Sequence, residues 1–189
     1  MPSVCVYCAS SPQIPDQYVQ LAAEVGREIA ARSWTLVSGG GSQSMMGAVA
    51  QATRRGGART IGVIPQALVD YEVADHDSDE LIVTSTMRER KAIMDDRADA
   101  FLALPGGIGT LEELMEVWTS RHLRMHDKPV VVLDPWGDFA LLRAQVAHWQ
   151  GLGFVKEHAV AQLVWTTSVH QACDAIESSW ATADFFAQP

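Results

Sequence analysis

The sequence predicts an α/β fold: a single Rossmann-like, doubly wound domain with a mainly parallel sheet. Three observations carry this expectation. Short β-branched runs alternate with amphipathic stretches along the whole chain, the pattern of repeated βαβ units. Two glycine-rich stretches each follow one of those runs directly. The length, 189 residues with 48% hydrophobic and 20% charged, suits one core rather than several.

The elements follow in order. Val4–Cys8 reads as the first strand. Pro15-Asp16 then offers a helix start, with Tyr18, Leu21, Ala22, Val25 and Ile29 at helical spacing. Trp34–Val37 is a short strand, followed by Gly39-Gly40-Gly41 and a helix that Gly56-Gly57 ends. Thr60–Ile64 is a strand closed by Pro65, and the acid-rich residues 66–80 form a loop with one helical turn. Leu81–Thr84 is a strand and Met87–Arg97 a polar helix with Ile93 and Met94 inward. Ala100–Leu104 is a strand leading into Pro105-Gly106-Gly107-Ile108-Gly109-Thr110 and a long helix to about Leu123. Pro129–Leu133, Leu163–Trp165 and the helices Phe139–Trp149 and Val169–Ser178 complete the chain. Residues 1–180 are the domain and 181–189 a C-terminal tail, with no repeat or linker.

Charge and composition remove several function classes. A net charge of −9 opposes a broad nucleic-acid surface, which needs clustered Lys and Arg, but allows a local site for a small phosphorylated ligand. No apolar run reaches the ~20 residues of a membrane helix. Met1-Pro2-Ser3-Val4-Cys5 has no secretory pattern, so cytoplasm is the expected location. Cys5 and Cys8 form a C-x-x-C, but alternation along a strand sends them to opposite faces, so neither metal nor redox chemistry is expected.

The two glycine loops are the candidate ligand site. Both stand at carboxyl ends of strands, where open α/β sheets bind ligands. Glycine lets the backbone approach a ligand closely, and a helix start offers N–H groups and a positive dipole end to a phosphate. Gly40 and Gly41 of the first loop, and the run from Gly106 through Gly107, Ile108, Gly109 and Thr110, are assigned to this role, with Ser10 after the first strand. Neither loop is a P-loop or a dinucleotide fingerprint, which favours a monophosphate. Glu112 and Glu113 admit two readings. Glu113 can close a capping box with Thr110, or it can be a carboxylate that stabilises positive charge on a ribose or activates water. Arg88, Arg90 and Lys91 begin a helix, where positive charge opposes the dipole unless an anion is near. Residues 88 and 90 lie about 200° apart on a helix and cannot both face one small site.

Pro105-Gly106-Gly107-Ile108-Gly109-Thr110-Leu111-Glu112-Glu113 resembles the P-G-G-x-G-T-x-x-E signature of the Lonely Guy family. Met87-Arg88-Glu89-Arg90-Lys91-Ala92-Ile93-Met94 resembles its second signature, M-H-x-R-K-x-x-M. The resemblance runs from about Val4 to Phe154 and includes Cys8-Ala9-Ser10-Ser11, Gly62-Val63-Ile64-Pro65 and His126-Asp127-Lys128-Pro129. It implies a homodimeric phosphoribohydrolase, without cofactor or metal, that cleaves a cytokinin riboside 5′-monophosphate or AMP into free base and ribose 5-phosphate. It implies Arg90 and Glu113 as catalytic residues, and substrate contacts at Glu72, Arg90, Lys91, the Gly106–Glu112 run including Leu111 and Glu112, and Thr119. The chain departs from the family pattern at Ser38, at Ser42–Gly47, at Arg88 in place of histidine, and at residues 120–124.

Members of this family are often labelled lysine decarboxylases. A pyridoxal-phosphate enzyme needs a Schiff-base lysine, and of Lys91, Lys128 and Lys156 the resemblance commits Lys91 to the phosphate. The rival reading is a non-enzymatic carrier of a phosphorylated ligand, like the molybdenum-cofactor carriers, which would keep the glycine loops without needing Arg90 and Glu113 together. For assembly, Leu114, Met115, Val117, Trp118 and Leu123 are too many apolar positions for one helix stripe, which favours a homodimer.

Overall fold

The computed structural model describes residues 1–69 and 73–187, with 183–187 as backbone only. Seven strands form one sheet: β1 (Ser3–Tyr7), β2 (Thr35–Ser38), β3 (Thr60–Pro65), β4 (Glu80–Thr84), β5 (Ala100–Ala103), β6 (Val130–Leu133) and β7 (Leu163–Thr166). The order is β4-β3-β2-β1-β5-β6-β7, and every pairing is parallel. Among the described residues eight helices accompany them: α1 (Asp16–Ala31), α2 (Ser44–Arg55), α3 (Gln66–Val69), α4 (Met87–Arg97), α5 (Ile108–His122), α6 (Ala140–Gly151), α7 (Glu157–Ala161) and α8 (Val169–Ala187). All seven expected strands are present. The five-residue α7 was not expected, being too short to show an apolar period. The last helix runs beyond the expected Ser178 to Ala187.

Strand alternation divides the core in two. Val4, Val6 and Cys8 pack with α1, α2 and α8 on one face. Cys5 and Tyr7 pack with residues of α4, α5 and α6 on the other. Cys5 and Cys8 are therefore buried free thiols on opposite sides of the sheet. The chain steps outward from β1 to β4, then crosses back to place β5 on the other side of β1. This change of direction opens a crevice beyond the carboxyl ends of β1 and β5, where doubly wound sheets bind ligands.

Two helix starts decide how α4 and α5 present their side chains. In α4, Thr86 accepts the Glu89 N–H at 3.1 Å, and the Glu89 carboxylate accepts the Ser85 N–H at 2.8 Å. This side-chain cap, closed from the other side through Ser85, fixes Met87 as the first helical residue. In α5 the cap is Gly107, with no side-chain hydrogen bond, and the helix starts at Ile108. Thr110 is already inside the first turn and buried, so of the two readings of Glu113 the Thr110–Glu113 capping box does not form. The helix begins directly after the glycine pair, which places Glu113 in its second turn.

Candidate active site

A cavity of about 230 Å³ opens at the crevice. The end of β1 and the loop after it supply Tyr7, Cys8, Ala9, Ser10 and Ser11, and β2's loop supplies Gly39. Arg90 and Met94 enter from α4, and Gly107, Ile108, Gly109, Thr110 and Glu113 from α5. Of the residues the sequence put forward, the structure thus brings together Ser10, Arg90, Gly107, Ile108, Gly109, Thr110 and Glu113.

Arg90 is the organising side chain. Its residue is only 5% exposed. Its Nε donates to the Val63 carbonyl at 3.0 Å and its Nη2 to the Gly39 carbonyl at 2.9 Å. These bonds offset the cost of burying a cation and lock the guanidinium plane. Its Nη1 lies 3.9 Å from Glu113 Oε1, an ion-pair distance. Arg88, one residue inside the same helix, is exposed, as the 200° separation requires. The Gly39 position must be glycine, because a Cβ there would overlap the Arg90 Nη2.

The other expected contacts fall outside this cavity. Gly40, with φ +76°, accepts the Asp75 N–H at 2.8 Å, and Gly41 bridges Ala74. Both are buried and serve the backbone. Gly106 packs against Thr110, whose side chain leaves no room for a Cβ. Leu111 packs on the core. Lys91 pairs with Glu112 and, at 2.6 Å, with Glu116. Burial works against its charge, but the hydrogen bonds it donates to Glu112 and Glu116 prevail and raise its pKa. Thr119 stands in a separate groove with Met115, Trp118, His122 and Phe154. Glu72 lies outside the described residues.

Several lining residues were not singled out in the sequence. Gly39 was visible as part of the triple glycine, but its partner is 51 residues away. Tyr7 follows from strand alternation, and its hydroxyl donates to Asp95 Oδ1 at 3.4 Å. Burial, together with the negative charge of Glu113, pushes the Cys5 and Cys8 thiols up. They stay protonated near neutrality and supply no nucleophile. Among the described residues no cluster of His, Cys, Asp or Glu could hold a metal ion, and no helix is long and apolar enough to cross a membrane.

The profile of the family described as possible lysine decarboxylase matches residues 46–176. A cytokinin riboside 5′-monophosphate phosphoribohydrolase of Mycobacterium tuberculosis is 54% identical over 177 residues, 94% of each chain. One from Mycobacterium marinum is 53% identical over 92% of each chain. The chain belongs to the Lonely Guy family. A relative of the same description from Arabidopsis thaliana is 39% identical over 92% of this chain and 82% of its own. Among solved structures, the molybdenum cofactor binding protein of Rippkaea orientalis superposes with a TM-score of 0.71 over 94% of this chain and 96% of its own. At 23% identity that likeness shows the fold alone. For a Lonely Guy chain, the buried Arg90 beside Glu113 is the feature that the fold by itself does not require.

Proposed function

We propose that this chain hydrolyses the N-glycosidic bond of adenine-type nucleoside 5′-monophosphates, AMP or its N6-substituted cytokinin counterparts, on a single domain. The observation that carries the reading is the meeting of Arg90 and Glu113 in one cavity with the start of α5. The names of the mycobacterial relatives agree with it.

The chemistry follows from charge. The N–H groups of the first turn of α5, uncapped by any side chain, border the cavity with Ser10 and suit the phosphate. Breaking the bond from C1′ to the base leaves the electron pair on the base and positive charge on the ribose ring. The Glu113 carboxylate stabilises that charge and takes a proton from the attacking water, whose hydroxyl joins C1′, while the base leaves with a proton. Arg90, held by the Gly39 and Val63 carbonyls, stands beside Glu113 and meets the substrate in the same cavity. Balance requires only water. A carrier would need the phosphate site but not this pair.

The protein works in the cytoplasm as a homodimer in this reading. Leu123, Met125 and Phe154 are 62%, 73% and 77% exposed, apolar surface that a second copy would cover. Lys91, Glu112 and Thr119, outside the cavity within one chain, join the substrate site in that assembly.

Chromatography of free base and ribose 5-phosphate tests the reaction. AMP and its N6-isopentenyl derivative are expected to be cleaved, and adenosine poorly, because phosphate binding positions the reacting sugar. Equal efficiency on adenosine and AMP would overturn the reading.

A further inference from the structure

The catalytic cavity does not end at the glycine loop. Ala9, Ser11 and Gly107 also line a second cleft, of about 380 Å³, that continues beyond it. Arg90 and Glu113 belong to the first cavity only. Ile14, Tyr18, Met45 and Asp138 belong to the second only. The order along this path is therefore the reacting pair, the start of α5, then Asp138. A 5′-phosphate on the N–H groups of Gly107–Thr110 sits at the junction, and anything attached to it beyond the 5′-phosphate runs into the second cleft.

Asp138 is a fixed acid. Its own N–H donates to Asp134 Oδ1 at 2.7 Å, and Phe139 N–H donates to the other oxygen of Asp134 at 3.2 Å. Asp134 is buried, and Gly137 takes φ +81°, so the turn carrying Asp138 is held from below. The Asp138 side chain is held from across the cleft. Tyr18 Oη, on α1, donates to Asp138 Oδ1 at 2.8 Å, and the Trp136 ring packs edge-on against Tyr18 at 5.1 Å. The hydrogen bond to Asp138 raises the Tyr18 pKa and keeps its proton in place. A carboxylate tethered across 120 residues of chain faces the far side of a phosphate loop, where an anion-binding site would place a cation.

We propose that Asp138, positioned by Tyr18, is the residue that restricts the site to monophosphates by repelling the second phosphate of a nucleoside diphosphate. The inference rests on the proposed phosphate position. A nucleoside diphosphate carries its extra negative charge into the second cleft, next to the Asp138 carboxylate. A monophosphate leaves that cleft empty and gains less from replacing the acid. Because Asp138 is exposed, water and salt weaken the repulsion, which sets the expected discrimination at roughly ten-fold rather than absolute.

Asp138→Asn removes the charge and keeps an oxygen for Tyr18 to donate to; Tyr18→Phe keeps the charge and removes the tether. Both are compared with the wild type on AMP and ADP, by the ratio of kcat/KM values and by the ratio of dissociation constants from calorimetry. The ADP-to-AMP ratio should rise about ten-fold in Asp138→Asn, mainly through KM and binding, and by less in Tyr18→Phe. The gain should shrink as salt is raised. An unchanged ratio in Asp138→Asn overturns the proposal, and Asp138→Ala, which removes the whole group, guards against a residual steric block. If AMP binds without being cleaved, the calorimetric ratio still decides the role of Asp138 while the hydrolytic reading fails. If AMP does not bind, both fail.

Discussion

Residues 38–42 and 105–110 are both glycine-rich turns at carboxyl ends of strands flanking β1, yet the glycines of the first are buried and those of the second are exposed. In the first, Gly39 gives its carbonyl to Arg90, Gly40 gives its own to Asp75 N–H, and Gly41 bridges Ala74. In the second, a Cβ at Gly107 or Gly109 would meet nothing within 4 Å. Glycine thus serves two ends. One loop admits the protein's own guanidinium, and the other leaves backbone open to a ligand. The sequence alone does not distinguish them, and the pairing of the two loops assigns phosphate to both.

The largest effect should come from removing what the first loop holds. Arg90→Ala deletes the donor to Gly39 and Val63 and the partner of Glu113, so AMP turnover should fall by at least ~1000-fold. The carbonyls left without a donor should cost about 1–3 kcal/mol in denaturant unfolding. A larger loss of kcat in Arg88→Ala than in Arg90→Ala would reverse the roles drawn from helix geometry.

Alanine at one glycine of each loop sharpens the contrast. Gly39→Ala forces the guanidinium aside, which should lower kcat by ~100-fold and cost about 1–3 kcal/mol, as overpacking does. Gly107→Ala should fold normally and raise KM for AMP by ~10-fold, the methyl standing where the phosphate approaches. Equal stability losses in the two variants would remove the distinction between the loops.

The smallest effect lies behind the cavity, at Asp95. Burial, then the charge of Glu116, raises its carboxyl to about 6 from an ordinary 3.8, against the lowering influence of Lys128 and the Tyr7 hydroxyl, with Asp96 adding to the rise. A carboxyl raised in the folded state favours folding while protonated, and that contribution is lost as pH climbs through about 6. Asp95→Asn should therefore gain stability relative to wild type on going from pH 4 to pH 7.5, by no more than ~1 kcal/mol because Asp95 is partly exposed. Thermal unfolding at the two pH values checks it, and a gain that is larger at pH 4 would refute it.

What the sequence made legible has a physical pattern. Strands came through because β-branched runs bounded by glycine and proline are local signals, and the separation of Arg88 from Arg90 followed from helical pitch alone. The start of α5 is ambiguous in the sequence, which allows a cap at Thr110, since a threonine followed by glutamate three residues on looks the same whether or not the helix has already begun. The cap that does form, Thr86 on the Glu89 N–H, carries the same spacing. Gly39 with Arg90, and Tyr18 with Asp138, were beyond reach because each contact joins elements that only the sheet order brings together.

The central claim is that Glu113 is a reacting carboxylate rather than a structural acid. Glu113→Gln keeps the shape and hydrogen-bonding capacity of the side chain and removes its charge. Steady-state release of free adenine from AMP by this variant is the direct measurement. The predicted result is a folded protein, within ~1 kcal/mol of wild type, whose turnover is at least ~100-fold slower. A folded Glu113→Gln protein that releases adenine at a near-normal rate would contradict the account.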